Sequence, residues 1–256
     1  MLERAWILAD TGPIRIAALI ATVLGAIILA GPVAAQDVTI SLGEDGSLAT
    51  RSIQLLILVT LLSLVPGLVV TVTSFPFIVT VLAILRQGIG LQQSPPNMLI
   101  VSLALFLTYF VMEPVFQEAW TMGVAPLSAG ELGLEEAFLQ VMEPFRTFMS
   151  GRIRPDTFAE LASLRPDVDP AQDIVSSPLS VLVPSFLLSE IERAFQVGFL
   201  IFLPFLVIDL VVAAVLMSMG MMMVPPAIVS LPFKLAFFVI ADGWSLIAGS
   251  LVRSYF

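Results

Sequence analysis

The sequence predicts an all-α, membrane-associated fold made of helical hairpins that prolines interrupt. Of the 256 residues, 58% are hydrophobic and only 12% are charged, whereas about a quarter of the residues in a soluble domain are charged. Four apolar segments are close to the roughly 20 residues that a membrane-spanning helix needs. Prolines within or beside these segments are expected to break the helices, because proline removes a helical hydrogen bond. They are Pro66, Pro76, Pro204, Pro225, Pro226 and Pro232.

The composition also excludes several classes of function. The chain has no cysteine and no histidine, which removes disulfides, thiolate or imidazole metal ligands and Ser-His-Asp catalysis. A net charge of −9 argues against nucleic acid, which requires a basic surface. Glu190 and Glu192 are two residues apart and would diverge on a helix, so they do not form a catalytic pair. We therefore expect a non-enzymatic protein without metal or cofactor.

Residues 1–35 have the pattern of a secretory signal peptide. Arg4 and Arg15 precede an apolar run, and the small residues Val33 and Ala35 occupy the positions before a cleavage site. We expect cleavage after Ala35, which would leave residue 36 at the mature N-terminus. The alternative is an uncleaved signal anchor, and both versions bring the chain to a membrane.

Residues 36–112 are predicted to form the N-terminal apolar helices. A polar lead precedes the first apolar segment, Ile53–Val72, which should kink or break at Pro66 and Gly67. After a polar turn with two adjacent prolines, the second apolar segment is Met98–Met112.

Residues 113–178 are predicted to be an acidic, water-exposed insert. Between Glu113 and Ser177 the chain carries eleven acidic residues against four arginines. Short amphipathic helices are expected within it, because apolar side chains recur at helical spacing. The clearest example consists of Phe138, Val141, Met142 and Phe145.

Residues 179–256 are predicted to form a C-terminal helical hairpin that contains two charges at membrane depth. Asp209 and Lys234, the only lysine in the chain, lie in its two apolar arms. At about 1.5 Å per residue they lie about 16 Å and about 12 Å from the turn, so we predict a buried ion pair. The pair could fix the register of the hairpin, or it could take part in proton flow.

The turn of this hairpin gathers methionines. Gly220, Pro225 and Pro226 argue against a long regular helix and predict a turn or re-entrant loop. Methionine is flexible and adapts to changing shapes, so the cluster could pack against a neighbour or form an adaptable seal. The methionines are Met217, Met219, Met221, Met222 and Met223.

The same region closely resembles the FliP family of flagellar type III export gate proteins, whose virulence-injectisome counterparts share the pattern. The resemblance is carried by LIFLPFLVIDLVVAAVLMSMGMMMVPPAIVSLPFKLAFFVIADGW and continues through PSFLLSEIERAFQVGF and QQSPPNMLIVSLALFLTYFVMEPV. It covers nearly all of the chain from about Leu55 onward, with the acidic insert as the least distinctive part.

The resemblance implies hairpin subunits that assemble into a closed, pentamer-like ring together with FliQ and FliR. Much of that assembly would stand above the inner membrane rather than cross it as the four spans that hydropathy alone gives. Unfolded flagellar subunits would pass through the pore after delivery by FlhA and FlhB, in the basal body of the flagellum. The methionine loop would be the gasket of the closed pore, formed here by Met219, Met221, Met222 and Met223, with Met217 as a helical neighbour.

The chain departs from the family pattern at two places. Pro76 and Phe77 stand where the family commonly has a polar and a basic residue, and Glu192 stands where it commonly has a lysine. Interactions that rely on either positive charge are therefore in doubt, and Pro76 should sharpen the break after the first apolar segment. Two other functions compete with the gate: a proton- or ion-conducting component that uses Asp209 and Lys234, and an assembly scaffold whose helices only pack.

Overall fold

The chain divides into two units between Leu58 and Val59, and the contacts reported below lie within the compact unit Val59–Phe256. The structure is a computed structural model, and it describes residues 48–91, 95–169, 171–221 and 223–256. The predicted signal segment 1–35 and Met222 lie outside the described residues.

The described part of the chain is all-helical, which confirms the predicted fold class. The α-helices are α1 (Leu48–Thr71), α2 (Phe75–Ile89), α3 (Asn97–Ala119), α4 (Ala125–Ser128), α5 (Leu134–Ser150), α6 (Pro155–Ser163), α7 (Leu179–Ser218), α8 (Pro226–Ile240) and α9 (Gly243–Arg253). A π-helical turn, Trp120–Val124, joins α3 to α4.

Two helices in the described part of the chain are long and apolar enough to cross a membrane. By length and composition, Asn97–Ser128 and Leu179–Ser218 are candidate spans among the described residues. The pair α8 and α9 is a third if its two helices, bent by 61°, count as one span.

The structure contradicts a helix break at three of the prolines, and the kink that is the alternative at Pro66 stays a prediction. α1 continues through Pro66 and ends only at Thr71, while Pro204 lies inside α7 and Pro232 inside α8. A proline removes one hydrogen bond of a helix, and in long helices the remaining bonds and the packing of the side chains can keep the helix continuous.

The other prolines act as the sequence predicts. Pro76 and Pro226 lie in the first turns of α2 and α8, where the missing N–H has no intrahelical partner to lose. α1 ends at Thr71 and α2 begins at Phe75, so the break expected near Pro76 is present.

Two hydrophobic cores share α7. The first contains Phe77 and Leu82 of α2, together with side chains of α3, α7, α8 and α9. The second contains Met112 of α3, Met149 of α5 and Phe186 of α7, together with side chains of α6. The first turns of α7, up to Phe186, therefore pack in the second core, and the part from Ala194 to Phe205 packs in the first.

α5 is the amphipathic helix that the spacing of apolar residues predicts. Phe145 is buried, and Val141 and Met142 are half-buried against the second core. Phe138 is 58% exposed and lies at the edge of this face. The insert predicted from residue 113 does not start at a helix boundary, because α3 continues to Ala119.

Candidate functional site

The turn after α7 is built around one glycine. α7 ends at Ser218, and Gly220 has a left-handed backbone with a φ of 73°, which a residue without a Cβ adopts without steric cost. The amide of Gly220 donates to the carbonyl of Met217 at 3.1 Å, and the amide of Met221 donates to the carbonyl of Leu216 at 3.0 Å. These two bonds form a Schellman cap, which satisfies the last carbonyls of the helix.

Two prolines then end the turn. Pro225 precedes α8 and Pro226 is its first residue, so the chain reverses direction between Met219 and Pro225. Because the helix stops at Ser218, Met219 and Met223 do not lie on one continuous helix.

The methionines described in this turn are not covered by the other described residues. Met217 is 62% exposed, Met219 67%, Met221 42% and Met223 97%, and Met222 lies outside the described residues. A cavity of about 560 Å³ runs beside the turn between α7 and α8. Its lining is apolar and consists of Val207, Ile208, Val211, Val212, Val215, Leu216, Met219, Met221, Val229 and Phe233.

The two charged residues of the hairpin lie in contact. The ammonium of Lys234 donates to Oδ2 of Asp209 at 2.6 Å, and the hydroxyl of Ser230 donates to Oδ1 of Asp209 at 2.5 Å. Lys234 also donates to the carbonyl of Gly88 at 3.2 Å. The side chain of Lys234 is 7% exposed and that of Asp209 is 32% exposed.

This pair ties three helices together. Asp209 belongs to α7, Lys234 and Ser230 to α8, and Gly88 to α2, so one ammonium group fixes the hairpin against α2. Removing one partner of a buried pair leaves an uncompensated charge, whereas replacing both partners with apolar residues is often neutral. The geometry therefore fits a group that sets the register of the hairpin.

A second charged cluster lies at the other end of α7, and the sequence analysis missed it. Glu190 is fully buried and accepts hydrogen bonds from Arg152, Arg193 and Tyr255. The spacing of Glu190 and Glu192 excludes a carboxylate pair but does not predict the partners of Glu190. A signal was present, because an acidic residue within the apolar run PSFLLSEIERAF requires a partner if that run is buried.

The two departures from the family pattern have different partners here. Phe77 is fully buried, and the guanidinium of Arg152 lies 5.7 Å from the centre of its ring. Glu192 pairs with Arg154 on a partly exposed surface. Glu190 and Glu192 thus face different surroundings, as helical geometry predicts, and no carboxylate pair is formed. Within the described ranges, no group of three carboxylates could hold a metal ion.

Comparison with known proteins gives one family. A model of the FliP family matches residues 58–251. The chain is 49% identical to a flagellar biosynthetic protein FliP of Caulobacter vibrioides, over 94% of this chain and 90% of that protein. It is 50% identical to a FliP of Agrobacterium fabrum, over 82% of this chain and 86% of that protein. A Bacillus subtilis FliP is 42% identical, over 86% of this chain and 99% of that protein.

Proposed function

This chain belongs to the FliP family, and on that premise we propose that it is a subunit of the flagellar protein export gate. The relatives are named flagellar biosynthetic proteins, which supports a role in flagellar export. Its role is to conduct unfolded flagellar subunits through a pore, without enzymatic chemistry, and its methionine turn seals that pore at rest.

The exposed methionine turn is the observation that supports the seal. Large exposed apolar surfaces on a protein mark sites of interaction, and the turn lies at the tip of a hairpin with Met223 almost fully exposed. Closed rings of identical subunits bring the same surface of each copy to one axis. In such a ring the thioether side chains would fill the opening, and their flexibility would let them yield to a polypeptide of any sequence.

The apolar surface that leads to the turn supports assembly with other chains. Val207, Leu210, Val211 and Val215 of α7 are each more than half exposed. The resemblance to export gates supports a pentamer-like ring of this chain, joined by FliQ and FliR and served by FlhA and FlhB. The site of action is the inner membrane at the flagellar basal body, with the acidic insert on the outer side.

The pair of Asp209 and Lys234 is assigned a structural role in this proposal. Both oxygens of Asp209 already accept hydrogen bonds, one from Ser230 and one from Lys234. A proton path usually has several intramembrane carboxylates in series, and the contacts of Asp209 show only these hydrogen bonds. The pair instead holds the turn in position relative to α2.

Ion conductance tests the seal directly. We would express the chain with FliQ and FliR and compare the wild type with a variant in which Met221, Met222 and Met223 are alanine. Shorter side chains cannot close the opening, so the variant should leak ions at rest while the complex still assembles.

A matched control removes methionines elsewhere. Met98 is 81% exposed and Met122 is 37% exposed, and both lie far in sequence from the turn, so their change to alanine should leave conductance unchanged. If the turn variant conducts no more ions than this control, the seal proposal is wrong and the scaffold alternative is favoured.

A further inference from the structure

α9 packs on the first core through Ile247 and Leu251, and a groove separates its inner face from α7. Its central part faces α7 across a cavity of about 350 Å³, which Val197 and Ile201 of α7 and Leu246 and Ile247 of α9 line. Leu251, near the end of α9, is buried in the first core. Well-packed helices meet without gaps, so this groove means that α9 makes less contact with α7 than with the first core beneath it.

The C-terminal end of this helix is held by charges from distant parts of the chain. The hydroxyl of Tyr255 donates to Oε2 of the fully buried Glu190 at 2.5 Å. Arg152 donates to the other carboxylate oxygen at 2.9 Å and to the carbonyl of Ser254 at 2.9 Å. Arg193 donates to the same oxygen of Glu190 at 3.3 Å.

The ring of Tyr255 is also held by neighbouring side chains. The guanidinium of Arg152 lies 4.0 Å from the ring centre, a distance typical of a cation–π contact. The ring of Phe148 also stacks on the ring of Tyr255, at a centre-to-centre distance of 6.0 Å and an interplanar angle of 13°. Burial, and then the negative charge of Glu190, raises the pKa of Tyr255 well above its usual value, so the hydroxyl keeps its proton and remains a donor.

The N-terminal end of α9 is a sharp and strained bend. Asp242 has a left-handed backbone with a φ of 49°, and it is the only residue other than glycine with a positive φ in the described part of the chain. Such a conformation is unfavourable for a residue with a Cβ and persists where the surroundings enforce it. Gly243 follows it, and a Cβ there would lie 2.2 Å from the ring of Phe238.

From these features we infer that α9 is a hinged arm, which the docking of Tyr255 between Glu190 and Arg152 holds closed. The bend at Asp242 is the hinge, the cavity beside α7 is the loosely packed space beneath the arm, and residues 254–255 are the latch. Opening the latch would let α9 move away from α7, and it would uncover Leu251 of the first core and the ring of Phe148. This inference concerns α9 alone and does not depend on the methionine turn being a seal.

Distance measurements between spin labels test the latch, and the absence of native cysteine allows labels at chosen positions only. In the full-length chain in lipid nanodiscs, one label would replace Thr147 of α5 and the other would replace Phe256, which is 78% exposed. We expect one narrow distance in the otherwise unchanged protein. With Tyr255→Phe, which removes only the hydroxyl, a second population should appear, displaced by several ångströms because the arm is about 16 Å long.

Two controls separate release of the arm from a general loss of structure. Tyr109→Phe changes the only other tyrosine, which is 62% exposed, and should leave the distance distribution unchanged. A second label pair, Thr147 and Ile191, spans α5 and α7 without α9 and should stay narrow in Tyr255→Phe. If both label pairs broaden, Tyr255 only stabilises the fold, and if neither changes, the hydroxyl is not a latch; either result overturns the inference.

Discussion

The two ends of α7 are completed in opposite ways. Near its N-terminal end, Ser185, Phe186, Ser189 and Glu190 are all fully buried, and every charge has a partner from the same chain. Near its C-terminal end, the helix presents large apolar side chains to its surroundings and stops at an uncovered methionine turn. The exposed side chains are Val207, Leu210, Val211, Val215, Met217 and Met219.

The difference indicates which contacts a single copy can supply. The chain satisfies the buried carboxylate of Glu190 with residues from α7, from the segment after α5 and from the C-terminal tail. It leaves the apolar surface beside the turn without a covering, and burying that surface would be favourable at about 25 cal/mol per Å². One face of the N-terminal part of α7 is therefore a finished core, although Leu188 and Phe195 on its other face are 49% and 59% exposed. The C-terminal end depends on further chains or lipid.

The largest effect is expected at the finished end. Glu190→Ala should lower the free energy of unfolding by about 3 kcal/mol or more, because it leaves two arginines partly buried without their carboxylate. Thermal unfolding of the purified protein in detergent, followed by circular dichroism, would measure this loss.

Glu192→Ala is the matched control, since it lies two residues away on the same helix. Glu192 pairs with Arg154 where both side chains are partly exposed, and such pairs contribute about 1 kcal/mol or less. If both variants lose the same free energy of unfolding, the buried ion pairs of Glu190 contribute no more stability than the exposed pair of Glu192. The proposed difference between the buried cluster and the charged surface would then be wrong.

A smaller effect is expected at the ion pair midway along the hairpin. Lys234→Met alone should cost about 2–3 kcal/mol, because it leaves the half-buried carboxylate of Asp209 with one donor. Adding Asp209→Asn should restore part of this loss, because the amide keeps a partner in Ser230 and carries no charge. Thermal unfolding of the two single variants and the double variant measures the coupling, and additive losses would show that the two charges do not depend on each other.

Sequence reasoning found the sites whose signals are local. Lys234 and Asp209 lie at similar depth in two apolar arms, so each one predicts the other as its ion-pair partner. Gly220 followed by the adjacent Pro225 and Pro226 predicts a turn. Glu190 was missed because its partners are remote: Arg152 is 38 residues away and Tyr255 is 65 residues away. The nearby charges of Glu192 and Arg193 also made Glu190 look like part of an ordinary solvent-exposed helix face.

The errors at prolines have a related cause. Pro66, Pro204 and Pro232 are local signals against a helix, yet α1, α7 and α8 continue through them. One missing hydrogen bond is a local cost, and the remaining hydrogen bonds of the helix can outweigh it, which a single proline in the sequence does not reveal. The effects of Pro76 and Pro226 were predicted correctly, because a proline in the first turn of a helix removes no intrahelical hydrogen bond.

The smallest effect is expected at the open end, where conformation rather than contact holds the turn. Nothing lies within 4 Å of a Cβ placed on Gly220, yet its φ of 73° is strained for any residue with a side chain. Gly220→Ala should therefore cost about 1 kcal/mol through the backbone alone. Gly67→Ala, in the helical α1 and equally free of contacts, should instead stabilise the protein by about 0.5–1 kcal/mol. If the two variants change the stability in opposite directions in thermal unfolding, the chain sets the shape of the turn through its own backbone and leaves the covering of its methionines to other molecules. If both variants change the stability in the same direction, the turn does not require its left-handed cap.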